Sequence, residues 1–210
     1  MARLLYIIAS PRTERSRSIR VAEAFLEAYC ESNPADEVVT VDLFERELVP
    51  FDGKALKAKY RIMHGEEATP DQRAAWGKVE ALIEEFTSAH RYLLATPMWN
   101  FNVPYRLKQY IDVIVQPTYT FGVTDEGDYV GLVTGKPMFV AAARGNQYPP
   151  GSEFEQYDLQ KPYLETIFGF IGFEDIQWAI AQPTEAGDEE LQRERLSEAV
   201  ERARRLASDF

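Results

Sequence analysis

Tyr92-Leu93-Leu94-Ala95-Thr96-Pro97-Met98-Trp99-Asn100-Phe101-Asn102-Val103-Pro104, followed by Leu107-Lys108-Gln109-Tyr110-Ile111-Asp112, is the stretch that decides the fold. Its opening apolar run has the character of a strand covered on both faces. The loop after it is stiffened by Pro97 and Pro104 and carries flat apolar side chains beside an amide that both donates and accepts hydrogen bonds. Those are the groups a planar heteroaromatic ring requires. A strand that delivers such a loop to the sheet's carboxyl edge, just before a helix, places it where open α/β sheets bind ligands.

The rest of the chain follows the same alternation. Leu4 to Ala9 is a continuous apolar strand, and after the polar turn Ser10 to Arg17 the residues Ile19, Val21, Ala22, Phe25, Leu26 and Tyr29 recur at helical spacing. Glu37 to Asp42 reads as the second strand, with Leu43 to Thr69 irregular or weakly helical. Pro70 opens a helix whose stripe Trp76, Val79, Leu82, Ile83 and Phe86 runs to about His90. Arg91 to Thr96 is the third strand and Tyr105 to Val115 the helix after the ring loop. Thr118 to Phe121 and Tyr129 to Leu132 form a short hairpin. Lys136 to Ala143 is the fourth strand, Gln160 to Gly172 a helix, Phe173 to Ala181 the fifth strand, and Thr184 to Phe210 a closing helix capped by Thr184. Alternating β and α elements predict a doubly wound α/β domain over residues 1–210. The expected architecture is a flavodoxin-like three-layer sandwich around a five-stranded parallel sheet of order 2-1-3-4-5.

The first βα turn, Ser10-Pro11-Arg12-Thr13-Glu14-Arg15-Ser16-Arg17-Ser18, sets hydroxyls and guanidiniums at the amino end of a helix. Free N–H groups and the helix dipole favour an anion there. With neither G-x-G-x-x-G nor a P-loop pattern, and no cysteine nucleophile, a terminal phosphate held by hydroxyls remains. A phosphate site after the first strand and a ring site after the third stand apart as the two ends of a flavin mononucleotide do.

Composition bounds the alternatives. A net charge of −11 over 210 residues argues against a nucleic-acid or anionic-membrane surface. The single cysteine, Cys30, excludes an internal disulfide, and the isolated His64 and His90 suggest no metal site. No apolar run is long enough to span a bilayer, so a cytoplasmic protein is expected.

These residues resemble the FMN-dependent NADH azoreductase and NAD(P)H:quinone oxidoreductase family, over almost the whole chain. The resemblance is carried by Ala9-Ser10-Pro11-Arg12 with Ser16 and Ser18, by Pro97 to Pro104 with Leu107-Lys108, Tyr110-Ile111-Asp112, by Thr134-Gly135-Lys136, by Arg144-Gly145, and by Tyr163-Leu164 with Phe168-Gly169-Phe170-Ile171-Gly172. It implies a homodimer with FMN in each subunit, oxidising NADH or NADPH in a first stage and reducing quinones or azo compounds in a second. It further implies that Ser10, Arg12, Ser16, Arg17 and Ser18 serve the phosphate, that Pro97, Met98, Trp99, Asn100 and Phe101 hold the isoalloxazine, and that Ala143, Arg144, Gly145 and Asn146 border it. Phe121 and Tyr148 are the candidates for substrate contact. No catalytic acid is obligatory, because the flavin performs the hydride chemistry. Two positions depart from the family pattern: Ala143, often serine, and Trp99, often tyrosine. A flavodoxin-type FMN electron carrier, which the acidic surface suits, and a binding module without turnover are the competing readings. The insert before the third strand, the hairpin and the extended C-terminus favour an enzyme.

Overall fold

The computed structural model describes residues 1–210. Its strands are β1 (Arg3–Ile8), β2 (Glu37–Asp42), β3 (Arg91–Pro97), β4 (Phe121–Val123), β5 (Tyr129–Gly131), β6 (Met138–Ala143) and β7 (Ile176–Ala181). Its helices are α1 (Arg17–Ser32), α2 (Gly53–Met63), α3 (Pro70–Thr87), α4 (Tyr105–Ile114), α5 (Gln160–Ile171) and α6 (Glu189–Ala207). A five-stranded parallel sheet runs in the order β2-β1-β3-β6-β7. The expected order 2-1-3-4-5 is thereby corrected to 2-1-3-6-7: the hairpin strands β4 and β5 intervene in the chain and pair antiparallel with each other, outside the main sheet.

The twofold alternation of side chains along each strand sorts the core into two layers. Leu4 and Tyr6, Leu93 and Ala95, Phe139 and Ala141, and Ala179 and Ala181 face α1 and α6. Leu5 and Ile7, Tyr92 and Leu94, Met138 and Val140, and Trp178 face the core shared with α3, α4 and α5. On the first side Phe25 of α1 stacks on Phe139 with ring centroids 4.1 Å apart. Ala199, Ala203 and Ala207 form the buried stripe of α6, and their small side chains let that helix lie close. No helix is long and apolar enough to cross a membrane.

Local chemistry explains the element ends. Ser16 caps α1 by accepting the Ile19 N–H, Thr69 and Gln72 make a reciprocal capping box before Pro70 of α3, and Gly172, with φ 115°, ends α5 in the left-handed conformation. Gly131 meets that terminus backbone to backbone: a Cβ on it would lie 2.3 Å from the Gly172 nitrogen. This contact, with the Val133 N–H donating to the Ile171 carbonyl at 2.8 Å, seats the hairpin on α5.

Two expected elements are corrected. The segment 43–69 contains a full helix, α2, capped by the Asp52 carboxylate; its buried face consists of Ala55 and Ala58, too weakly apolar to mark a helical stripe. Backbone N–H donors of Ala55 and Lys54 hold the Asp52 carboxyl below its ordinary pKa. The closing helix starts at Glu189, not Thr184, because Asp188 caps it while the Thr184 hydroxyl donates to the Arg144 carbonyl at 2.9 Å.

Candidate functional site

The sheet order reverses beside β1, whose neighbours β2 and β3 lie on opposite sides. Ile8 pairs with Ala95, and Pro97 with Ala143, so the loops after β1, β3 and β6 emerge side by side at the carboxyl edge. They enclose a cleft of about 210 Å³. The β1 turn contributes Ser10, Arg12, Arg15, Ser16, Arg17 and Ser18, the ring loop Pro97, Met98 and Trp99, and the β6 loop Ala143 and Gly145. Thr184 and Glu185 from the loop after β7 complete the wall.

The β1 turn is built for an anion. Ser10, Ser16 and Ser18 are buried, at 1%, 5% and 0% exposure, so their hydroxyls are fixed at the cleft floor. The Ser16 and Ser18 oxygens lie 3.1 Å apart; whichever donates to the other, one O–H of the pair is left for a third oxygen. The N–H groups of Arg17 and Ser18 in the first turn of α1 have no backbone acceptor, the normal condition of a helix amino end. Arg17 donates to the Thr184 carbonyl and to Glu185, the latter at 3.2 Å, and Arg12 reaches the same carboxylate at 3.9 Å. Glu185 is mostly exposed, so these ion pairs are screened, worth about 0–1 kcal/mol each. Buried hydroxyls, free N–H groups and guanidiniums together fit a phosphate monoester.

The ring loop has an unusual backbone. The Trp99 N–H donates to the Asn102 carbonyl at 2.8 Å and the Asn102 N–H to the Trp99 carbonyl at 3.0 Å, with Asn100 at φ 47° and Phe101 at φ 69°. This is a two-residue turn with both central residues left-handed, a geometry that normally selects Asn and Gly. Phe101 in the second place is strained by roughly 1–2 kcal/mol. The Met98 N–H donates to the Ala143 carbonyl at 2.8 Å, tying the loop to β6. Behind it opens a wider cleft of about 640 Å³, lined among others by Phe51, Trp99, Asn100 and Tyr105. Phe44 joins Trp99 and Tyr105 in an aromatic cluster there.

The predicted residues thus divide. The serines, Arg12, Arg17, Pro97, Met98, Trp99, Ala143 and Gly145 share the smaller cleft, and Asn100 lies on the wider one. Phe101 is half exposed, its ring against Tyr157 at 5.1 Å, and Asn146 accepts the Gln147 N–H. Arg144 stands on the loop expected to border the ring, and its guanidinium turns inward, buried, and pairs with Asp158 at 2.9 Å. Burial lowers its pKa and Asp158 opposes that shift. Tyr148 lies over this guanidinium at 5.9 Å and lines neither of the two clefts. Phe121 packs on Phe170 and Tyr129 of its own chain, at 4.8 and 6.0 Å, where fit to the α5 terminus holds it. Glu185, and Thr184 which the sequence offered only as a helix cap, were not among the expected site residues; their position just after a parallel strand's carboxyl end is the signal that locates them. No group of His, Cys, Asp and Glu is arranged to hold a metal ion.

The family model for the flavodoxin-like fold matches residues 2–206. A protein of Nitratidesulfovibrio vulgaris strain DP4 named FMN-dependent NADH:quinone oxidoreductase is 49% identical over 210 residues, covering 100% of both chains. FMN-dependent NADH:quinone oxidoreductase 9 of Burkholderia lata is 36% identical, again over 100% of both. Among solved structures, an azoreductase from Bacillus anthracis strain Sterne superposes with a TM-score of 0.91 at 26% identity over 100% of each chain. An FMN-dependent NADH-azoreductase from Bacillus anthracis strain Ames Ancestor, in complex with FMN, gives 0.86 at 32% identity, over 99% of this chain and 100% of the other.

Proposed function

The chain belongs to the flavodoxin-like family of FMN-dependent NADH:quinone oxidoreductases, and from that premise we propose that it oxidises NADH and reduces quinones or azo compounds through FMN held at the carboxyl edge of β1, β3 and β6. When bound, FMN supplies the hydride relay between donor and acceptor. The observation that carries the reading is the joining of the buried-serine turn and the strained ring loop in one cleft.

In this reading Ser10, Ser16, Ser18 and the N–H groups of Arg17 and Ser18 hold the phosphate, with Arg12 and Arg17 supplying charge. Pro97, Met98 and Trp99 give the isoalloxazine a flat apolar wall, and Asn100 and Phe101 fix its far end. The Ala143–Asn146 loop borders the ring through its backbone, since Ala143 has no hydroxyl to offer and the Arg144 side chain is committed elsewhere. Backbone N–H groups there, or the Asn100 amide, favour negative charge on the reduced ring. No acid or base is assigned, because the ionisable groups of the cleft are arginines and the exposed Glu185.

We take residues 1–210 as one domain acting in the cytoplasm as a homodimer. The exposed apolar side chains Val123, Tyr129 and Leu132 of the hairpin region support a covered surface. The test is steady-state NADH oxidation with benzoquinone, with and without added FMN and without any protein partner. Turnover that requires both FMN and quinone is expected, and an equal rate in the flavin-free protein overturns the reading.

A further inference from the structure

Beneath the ring loop lies a buried polar cluster that takes no part in the functions assigned above. Gln160 is 0% and Arg144 2% exposed. The Gln160 amide donates from Nε2 to the Pro97 carbonyl at 2.9 Å and accepts at Oε1 from Arg144 Nε at 3.0 Å. Arg144 Nη1 donates to Asp158 at 2.9 Å and to Gln182 Oε1 at 3.4 Å. The other Asp158 oxygen accepts the N–H groups of Gln160 and Lys161 at 3.2 and 3.0 Å, starting α5. Between these residues the Leu159 N–H donates to the Phe101 carbonyl at 3.0 Å.

Pro97 at the entry to the ring loop and Phe101 within its strained turn therefore both hang from the amino end of α5. The residue anchoring that helix end, Arg144, belongs to the neighbouring wall of the cleft, and its carbonyl accepts the Thr184 N–H at 2.8 Å from the wall beyond. As a source of stability the arrangement is poor. Buried ion pairs recover their desolvation cost only when fully hydrogen-bonded, and Arg144 Nη2 is buried with no partner. What the cluster does achieve is geometric. Non-glycine residues in the left-handed region persist only where the surroundings over-determine them, and Asn100 and Phe101 are such residues.

We propose that Gln160, Arg144 and Asp158 are positioning residues that hold the ring loop in register with the loop after β6, so that the width of the ring slot is set from below. The proposal rests on the reading of the cleft as a flavin site. It distinguishes the two ends of the cofactor: a clamp acting on the ring wall affects FMN and riboflavin alike, whereas a phosphate contact affects FMN alone.

The test is Gln160→Met, which keeps the volume and removes the side-chain bonds to the Pro97 carbonyl and to Arg144 Nε. FMN and riboflavin affinities are measured by flavin fluorescence titration at a temperature where circular dichroism shows variant and wild type fully folded. Both dissociation constants are expected to rise together by about tenfold, the value of a buried hydrogen bond. Asp158→Asn keeps the shape and one capping oxygen, and is expected to move both in the same direction by about threefold, on the weaker end of the same range; it decides the matter if Gln160→Met does not fold. A lowered melting temperature with both affinities unchanged marks a merely structural cluster and overturns the proposal, as does a change confined to FMN. Wild-type protein that takes up neither flavin overturns the site reading and the clamp with it. Wild type that binds both while the variants match it overturns the clamp alone.

Discussion

Replacing Ser18 by alanine separates phosphate recognition from every other property of the cleft. The Ser18 side chain is 0% exposed and its oxygen lies 3.1 Å from Ser16 Oγ. Ser16 Oγ still accepts the Ile19 N–H in the variant, so the cap of α1 is kept. The folded protein then loses one neutral hydrogen bond, about 0.5–1.5 kcal/mol, which for a chain of this length lowers the melting temperature by roughly 1–6 °C. A hydrogen bond to a phosphate dianion is worth more, about 1.5–3 kcal/mol, so the FMN dissociation constant should rise roughly 10- to 150-fold. Riboflavin has the same ring and no phosphate, and its affinity should stay at the wild-type value. Parallel fluorescence titrations of FMN and riboflavin into flavin-free protein measure both. An unchanged FMN affinity, or equal losses for the two flavins, refutes the assignment of this turn to the phosphate.

Asn100→Ala puts a residue without a local hydrogen-bonding side chain at φ 47°; a stability loss of about 1 kcal/mol and weaker FMN retention or slower reduction are expected, and unchanged values for retention and reduction remove Asn100 from the site. Gly131→Ala drives a methyl into the Gly172 backbone and should cost more than about 3 kcal/mol in a denaturant titration; a loss below about 1 kcal/mol would mean that the hairpin shifts freely. The Asp36 carboxylate accepts the Ala2 N–H, the Tyr29 hydroxyl and an Arg91 donor, and its pKa is lowered first by the backbone bond. A depressed folded pKa means that this contribution is present above the unfolded value and lost as pH falls through the folded one. Asp36→Asn should therefore flatten the fall in melting temperature below about pH 4, and an unchanged acid slope contradicts the linkage.

Legibility in the sequence followed the strength of each local signal. β1, β3 and β6 lie in the middle of the sheet, and burial on both faces writes itself as a continuous apolar run. The cleft walls were legible for the same reason, since strand ends locate loops. α2 escaped because alanine carries its buried face. The start of α6 was misplaced because Thr184 and Asp188 are both capping residues by type, and the Thr184 hydroxyl is taken by the Arg144 carbonyl while Asp188 caps the helix. Arg144 itself shows the limit most clearly. The sequence places it on the loop bordering the ring, whereas the partners of its guanidinium, Asp158, Gln160 and Gln182, arrive from two other segments that local pattern does not connect.

The central claim, that this cleft seats an FMN able to relay hydride, is tested most directly by a two-stage anaerobic experiment on FMN-loaded protein. NADH is added alone while the visible flavin bands are followed, and benzoquinone is added afterwards. The account predicts bleaching by about one NADH per bound flavin, as a two-electron cofactor requires, then full return of colour with quinone. Bound flavin that stays oxidised in excess NADH would contradict it.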